Sequence, residues 1–268
     1  MTLLAYPPIL RGLLALTVAG IAFPLTGVLV VRMNLITLRF AMMHTALLGG
    51  AAAIALGLHP TATTVVFTVL LVAIIGRVAR RTGAGLGPVT TMLMALTVAG
   101  AAALTYRSNV PARDTLSILW GNIYALRAVD LWVTGGFSVL LVGVTWWYRR
   151  GLTAMMYSPG IAFVSGMNER ALYYGVLFGV ALTVGVAMRL LGALMLDVLL
   201  LLPALVAGQL ASSVRSLFAY AMVAGLIAAI GGFFLSLGID IPASAGVAAV
   251  SVALLGAATL ITRKRKAS

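Results

Sequence analysis

Apolar runs long enough to cross a bilayer follow one another along almost the whole chain, broken only by short basic or glycine-rich segments. A helix needs about 20 apolar residues to span the hydrocarbon core, and nearly every window of that length qualifies here. The runs are continuous rather than alternating, which argues against a membrane barrel, whose strands alternate apolar and polar residues. Only 9% of the residues are charged, against about 25% in soluble domains. The expected fold is all-α: a polytopic helical protein of the lipid bilayer, with residues 1–268 forming one transmembrane domain.

The interruptions divide the chain into expected spans at residues 11–32, about 39–58, 61–78, 89–106, 131–148, 171–188, 190–210, 217–237 and 243–261. That makes eight or nine spans, depending on how the first two are divided. Pro24 predicts a kink in the first span, and residues 33–40 read as a short polar turn. Residues 107–130 differ from their surroundings. They hold three arginines and two aspartates around SILWGNIYAL, a piece too short to cross, so a short extracytoplasmic or re-entrant helix is expected there. The stretch 151–170 is the longest non-spanning segment on the side expected to be cytoplasmic, and its part AMMYSPGIAFVSGMNER reads either as a short amphipathic helix on the membrane or as an ordinary loop. Small-residue patterns such as Gly49 to Ala53 and Gly225 to Ala229 let helices approach closely. They serve tight packing or, alternatively, sliding.

The net charge of +13 does not point to nucleic acid, because the basic residues sit at span ends and form no basic, aromatic-interleaved surface. One set of loops carries thirteen positive charges, from Arg32 and Arg39 through Arg77, Arg80, Arg81, Arg149, Arg150, Arg170 and Arg215 to the tail at 263–268; the other set carries five. That bias places the first set and the C-terminus in the cytoplasm. The N-terminus lacks a basic segment before its apolar stretch, so the first span is expected to be retained.

Several chemistries lack their residues. There is no cysteine, hence neither a disulfide nor a thiolate ligand. No glycine loop of the Walker A kind, no HExxH helix and no credible catalytic triad is present, so the chain is not expected to hydrolyse ATP or to act as an enzyme. What remains are isolated ionisable groups inside apolar runs. A carboxylate at the centre of a bilayer helix costs about 2.5–3.5 kcal/mol on insertion scales, so Asp197, in LLGALMLDVLLLLPALVAGQLASSVR, calls for a compensating role. It could ligate a metal, pair with Arg189 or Arg215, or carry a proton. On a straight helix Arg189 is about 12 Å away, which favours a ligand or pore-facing role. His44 follows two methionines in another apolar run. Neutral imidazole is the commonest side-chain ligand for transition metals, and the alternative is a hydrogen-bonded packing histidine. Imidazole with carboxylate suits zinc or manganese, with further ligands needed. His59, before Pro60 at a span end, is a weaker candidate for a contact where the ion enters, and otherwise a loop residue.

The segment 151–170 and the span after it carry a resemblance. Ser158-Pro159, Ala162-Phe163-Val164 and Gly166 are followed by ALTVGVAMRLLGALMLDVLLLLPAL, ending in Gly192-Ala193-Leu194 and Pro203-Ala204. Arg32-Met33, His44 with Leu47-Leu48-Gly49, Trp120-Gly121-Asn122 before Asp130-Leu131, and Asp240-Ile241-Pro242-Ala243 extend it in order over nearly the whole chain. The chain resembles the integral permeases of bacterial ABC importers for zinc, manganese and iron, most of all those of zinc uptake. The resemblance implies a second permease copy, forming a homodimer, two cytoplasmic ATPase subunits docked at Ser158, Pro159, Ala162 and Gly166, and an extracytoplasmic metal-binding protein. It also implies the bacterial inner membrane, no permanently bound cofactor, and the divalent metal as substrate, with His44 and Asp197 as transient contacts. Two departures stand out. The family often carries an acidic residue one turn before the membrane histidine, where this chain has Phe40, and one after the loop proline, where it has Gly160. Asp197 in turn stands where the family is usually neutral. It either supplies the carboxylate that Phe40 cannot, or the substrate differs. Two rival expectations remain: a permease for a metal chelate, and a proton-coupled secondary transporter with Asp197 as the proton site. The second would work without an ATPase.

Overall fold

The structure, a computed structural model, describes residues 6–82, 86–107 and 123–267. Those residues form helices and no strand. In order they are α1 (Pro7–Arg32), α2 (Ile36–Leu56), α3 (Pro60–Thr82), α4 (Leu86–Arg107), a 3-10 turn at Ile123–Ala125, α5 (Ala128–Trp147), α6 (Arg149–Tyr157), α7 (Pro159–Val164), α8 (Glu169–Leu191), α9 (Ala193–Leu210), α10 (Val214–Ile239) and α11 (Ala243–Ala267). Among the described residues nine helices are long and apolar enough to cross a membrane. All-helical spans are what the solvent demands, since a bilayer offers nothing to an unsatisfied backbone group. The expected short helix within SILWGNIYAL falls largely outside the described residues; only Ile123–Ala125 is seen, as the 3-10 turn.

Two segments differ from the sequence expectation. The polar turn expected at 33–40 shrinks to Met33–Leu35, because Asn34 adopts a left-handed φ of 55°, which asparagine tolerates well, and the chain re-enters a helix at once. Arg39 therefore lies inside α2 rather than in a loop, and it is fully buried. Its charge drops out of the loop tally. The segment 151–170 is neither one amphipathic helix nor a plain loop, but two short helices, α6 and α7, followed by the start of α8.

The helices fall into two compact units. The first holds α1, the 3-10 turn, α5, α6, α7, α9, α10 and α11. Its central element is α1, which packs on α10 and α5 and buries Ala15, Leu16, Ala19 and Phe23 completely. α1 runs unbroken through Pro24. That proline leaves the carbonyl of Gly20 without its helical donor, and Gly225 of α10 sits directly on this carbonyl: a Cβ at Gly225 would overlap Gly20 O. The close approach allows a Cα–H to face the freed oxygen. A second crossing has the same character, since a Cβ at Gly27 would overlap the Leu200 carbonyl of α9. The second unit holds α2, α3, α4 and most of α8. Here Gly49 of α2 meets Thr64 of α3, and Gly185 of α8 meets Val65 and Thr68 of α3. Several buried threonines of these helices satisfy their hydroxyls within their own helix, as Thr45 donates to Ala41 O at 2.8 Å and Thr183 to Gly179 O at 2.7 Å. This is how polar side chains are kept inside a bilayer span at low cost.

Candidate substrate path and docking turn

α2 has two faces. Arg39, Met42, Ala46 and Gly49 are buried, whereas Phe40, Met43, His44 and Leu47 are exposed or half-buried. The spacing of the second set follows the i, i+3, i+4, i+7 repeat of a single helical stripe. His44 thus stands on the more accessible face of its helix, one turn after Phe40. Arg39 lies behind, its guanidinium carbon 4.3 Å from the centre of the Phe40 ring, a cation–π distance.

α9 has the same division. Met195, Leu196, Leu199 and Leu200 are buried, whereas Leu194, Asp197, Leu201 and Leu205 form a stripe that is exposed or half-buried. Asp197 is the acidic member of that stripe. The helix before it ends at Leu191, where Gly192 takes a left-handed φ of 86°, a conformation that glycine adopts without penalty. A straight helix from Arg189 to Asp197 is therefore not what the chain forms, and the spacing argument that set Arg189 aside does not apply.

His44 belongs to the second unit and Asp197 to the first. Among the described residues no group of three or more His, Asp or Glu side chains is placed to hold a metal. His59 is exposed at the start of α3, where its Nδ1 accepts from the backbone N–H of Ala62 at 3.5 Å. This long contact helps satisfy one of the free donors at the helix start.

The segment 151–170 is built around Ser158 and Gly166. Ser158 is extended (φ −167°), and its Oγ accepts from Gly160 N at 3.3 Å, capping α7 with Pro159 in its first turn. Pro at this position has no donor to lose. Gly166, at a φ of 74°, closes the helix: its N–H donates to Phe163 O, and that of Met167 to Ala162 O, the pairing of a helix C-terminus ended by a left-handed glycine. Ala162 is fully buried. The four residues singled out from sequence shape the turn. The residues it presents are others: Phe163 and Val164 are 71% and 86% exposed, and Tyr157 and Ile161 are also exposed. The available signal was their apolar character in a segment that spans nothing, where polar residues are the norm.

The ABC 3 transport family matches residues 5–262. The chain belongs to this family. Its relatives include the high-affinity zinc uptake system membrane protein ZnuB of Haemophilus influenzae, 28% identical over 97% of this chain and 98% of that protein. A second is the manganese transport system membrane protein MntC of Halalkalibacterium halodurans, 23% identical over 98% of this chain and 90% of that protein. Among solved structures, PsaBC from Streptococcus pneumoniae in complex with Fab superposes with a TM-score of 0.84 at 21% identity, covering 96% of this chain and 92% of that one. The family's helical, multi-pass membrane fold is thus the fold of this chain.

Proposed function

We propose that this chain is the membrane permease subunit of an ABC importer that moves a divalent transition-metal ion, zinc or manganese, into the cytoplasm. The observation that carries the reading is the end-to-end likeness to zinc and manganese permeases, together with single candidate ligands on the more accessible stripes of α2 and α9. The chain would act in a bacterial inner membrane with its basic tail in the cytoplasm, as a homodimer. ATP would be hydrolysed by separate cytoplasmic subunits docked on the turn around α7, and an extracytoplasmic binding protein would deliver the ion.

The chemistry is coordination without covalent change. The imidazole of His44 offers a nitrogen and the carboxylate of Asp197 an oxygen, donors suited to these ions. A permease must release what it binds, so a sparse set of protein ligands serves transport better than a closed cage. The test is ATP-dependent uptake of zinc, manganese and iron into vesicles holding the full complex. His44→Ala and Asp197→Asn should each lower zinc or manganese uptake about tenfold or more while the complex still assembles. Undiminished uptake in both variants would remove them from the path.

The docking part of the reading has its own test. Ala162 is buried, and any side chain at Gly166 strains the turn, so neither position probes the surface alone. Phe163→Asp changes the presented face. It should weaken capture of the ATPase subunits about tenfold and leave the fold of the permease intact. Unchanged capture would place docking elsewhere.

A further inference from the structure

The docking turn is joined to the helix that carries Asp197. The tip, α7, is exposed. The root, α6, is braced on one side by Leu172 and Met167, against which a Cβ at Gly151 would come to 2.9 and 3.2 Å. At its end, the half-buried Met156 packs against a buried cluster made by Val28 of α1, Ala204 and Ala207 of α9, and Leu217 and Ala221 of α10. Val31, Ala211 and Phe218 pack against the same cluster, whose buried members are small or β-branched except for Leu217. Met156 is the longest side chain to enter it from the docking turn, and its three flexible bonds let it follow a moving partner without losing contact.

Three further features shape this joint. Met156 lines a half-open pocket of about 150 Å³ together with Arg32, Tyr157, Ser212, Ser213 and Leu217, among others. The turn between α9 and α10 is locked by a reciprocal pair: Ser213 Oγ accepts from Ser216 N at 3.2 Å, and Ser213 N donates to Ser216 Oγ at 3.0 Å. This pair caps the start of α10. Finally, Pro203 lies inside α9 between Asp197 and the two alanines of the cluster. It deprives the carbonyl of Leu199 of its helical donor, and such points are where helices bend. α9 thus has a half whose alanines belong to the cluster that Met156 packs against and a half that carries the carboxylate, with the proline between them.

We propose that Met156 is a positioning residue of the transport cycle: through it, displacement of the docking turn moves the half of α9 beyond Pro203 against the half that bears Asp197. This rests on the importer reading above, with an ATPase acting on α7. Shortening Met156 leaves the docking face untouched and loosens only the joint.

The experiment measures ATP hydrolysed and metal ion imported by the full complex in vesicles, with zinc and with manganese. Met156→Ala should assemble, hydrolyse ATP near the wild-type rate, and consume about fivefold more ATP per ion imported. Met156→Leu, which restores length, should return the ratio to that of the wild type. A purely structural role would lower both activities together and leave the ratio unmoved, and that result overturns the proposal. If Met156→Ala fails to assemble, Ala207→Val perturbs the same contact from α9 and is read by the same ratio: a raised ratio supports the joint and an unchanged one overturns it. Failure of both variants to assemble would assign the contact a structural role alone, which also overturns it. Absence of ATP-driven uptake in the wild type would refute the importer reading itself, whereas wild-type uptake with an unchanged ratio in the variants refutes only the linkage.

Discussion

α2 and α9 each carry one candidate ligand on a half-accessible stripe, yet they are held in opposite ways. α2 brings its own contact glycine, Gly49, to the backbone of α3, contains no proline, and buries a cation, Arg39, on its rear face. α9 is approached by a glycine of another helix, Gly27 of α1, and contains Pro203 six residues after Asp197. A complete ladder of hydrogen bonds holds the His44 segment as a rigid rod, whereas the ladder of α9 is interrupted just past its ligand. The comparison separates a ligand helix with an unbroken backbone ladder from one with a proline gap in it.

The two glycines offer the strongest way to break that comparison. A Cβ at Gly27 falls on the Leu200 carbonyl itself, and backbone cannot step aside. At Gly49 the nearest atom is backbone too, Thr64 Cα, but at 2.9 Å, with Phe67 Cβ at 3.2 Å and Thr63 O at 3.3 Å, so α3 must shift, though by far less than the overlap at Gly27 demands. Replacing a helical glycine by alanine also gains about 1 kcal/mol of helix propensity. Gly27→Ala should therefore lower stability by about 3 kcal/mol or more, beyond the usual 1–3 kcal/mol of overpacking, and Gly49→Ala should cost about 1 kcal/mol, the propensity gain offsetting part of the crowding. Thermal unfolding of the detergent-solubilised protein checks both. Equal losses would mean that the two crossings are not distinguished by their contacts.

The same two helices show what the sequence could and could not reveal. That both would be helices was legible, because hydropathy and length decide the matter where no water can rescue a backbone group. His44 and Asp197 were legible as candidates for the same reason: an ionisable group is conspicuous in an apolar run. The burial of Arg39 was not. It follows Arg32 and Asn34 in a polar stretch, so it read as loop, and only the left-handed Asn34 and the immediate restart at Ile36 carry it into the packed interior. The break at Gly192 was hidden too, since one glycine among 29 in an apolar run does not announce a positive φ. The presented face of α7 lies in a helix of six residues, too short for any periodicity to mark which side chains point outward.

A smaller effect sharpens the comparison further, by moving the carboxylate from α9 to α2. Phe40 precedes His44 by one turn on the same stripe. Phe40→Glu would set a carboxylate within reach of the imidazole, an i, i+4 pair on one helix face. In an Asp197→Asn background it should raise metal uptake about threefold above the single variant and remain well below wild type, because the new carboxylate also meets the Arg39 guanidinium, whose attraction competes with the metal. Phe40→Gln, similar in size but uncharged, is the control. If Glu restores no more than Gln, charge on the α2 stripe cannot replace charge on the α9 stripe. The carboxylate then matters for where it sits on α9, six residues before Pro203, and not merely for supplying an oxygen to the ion.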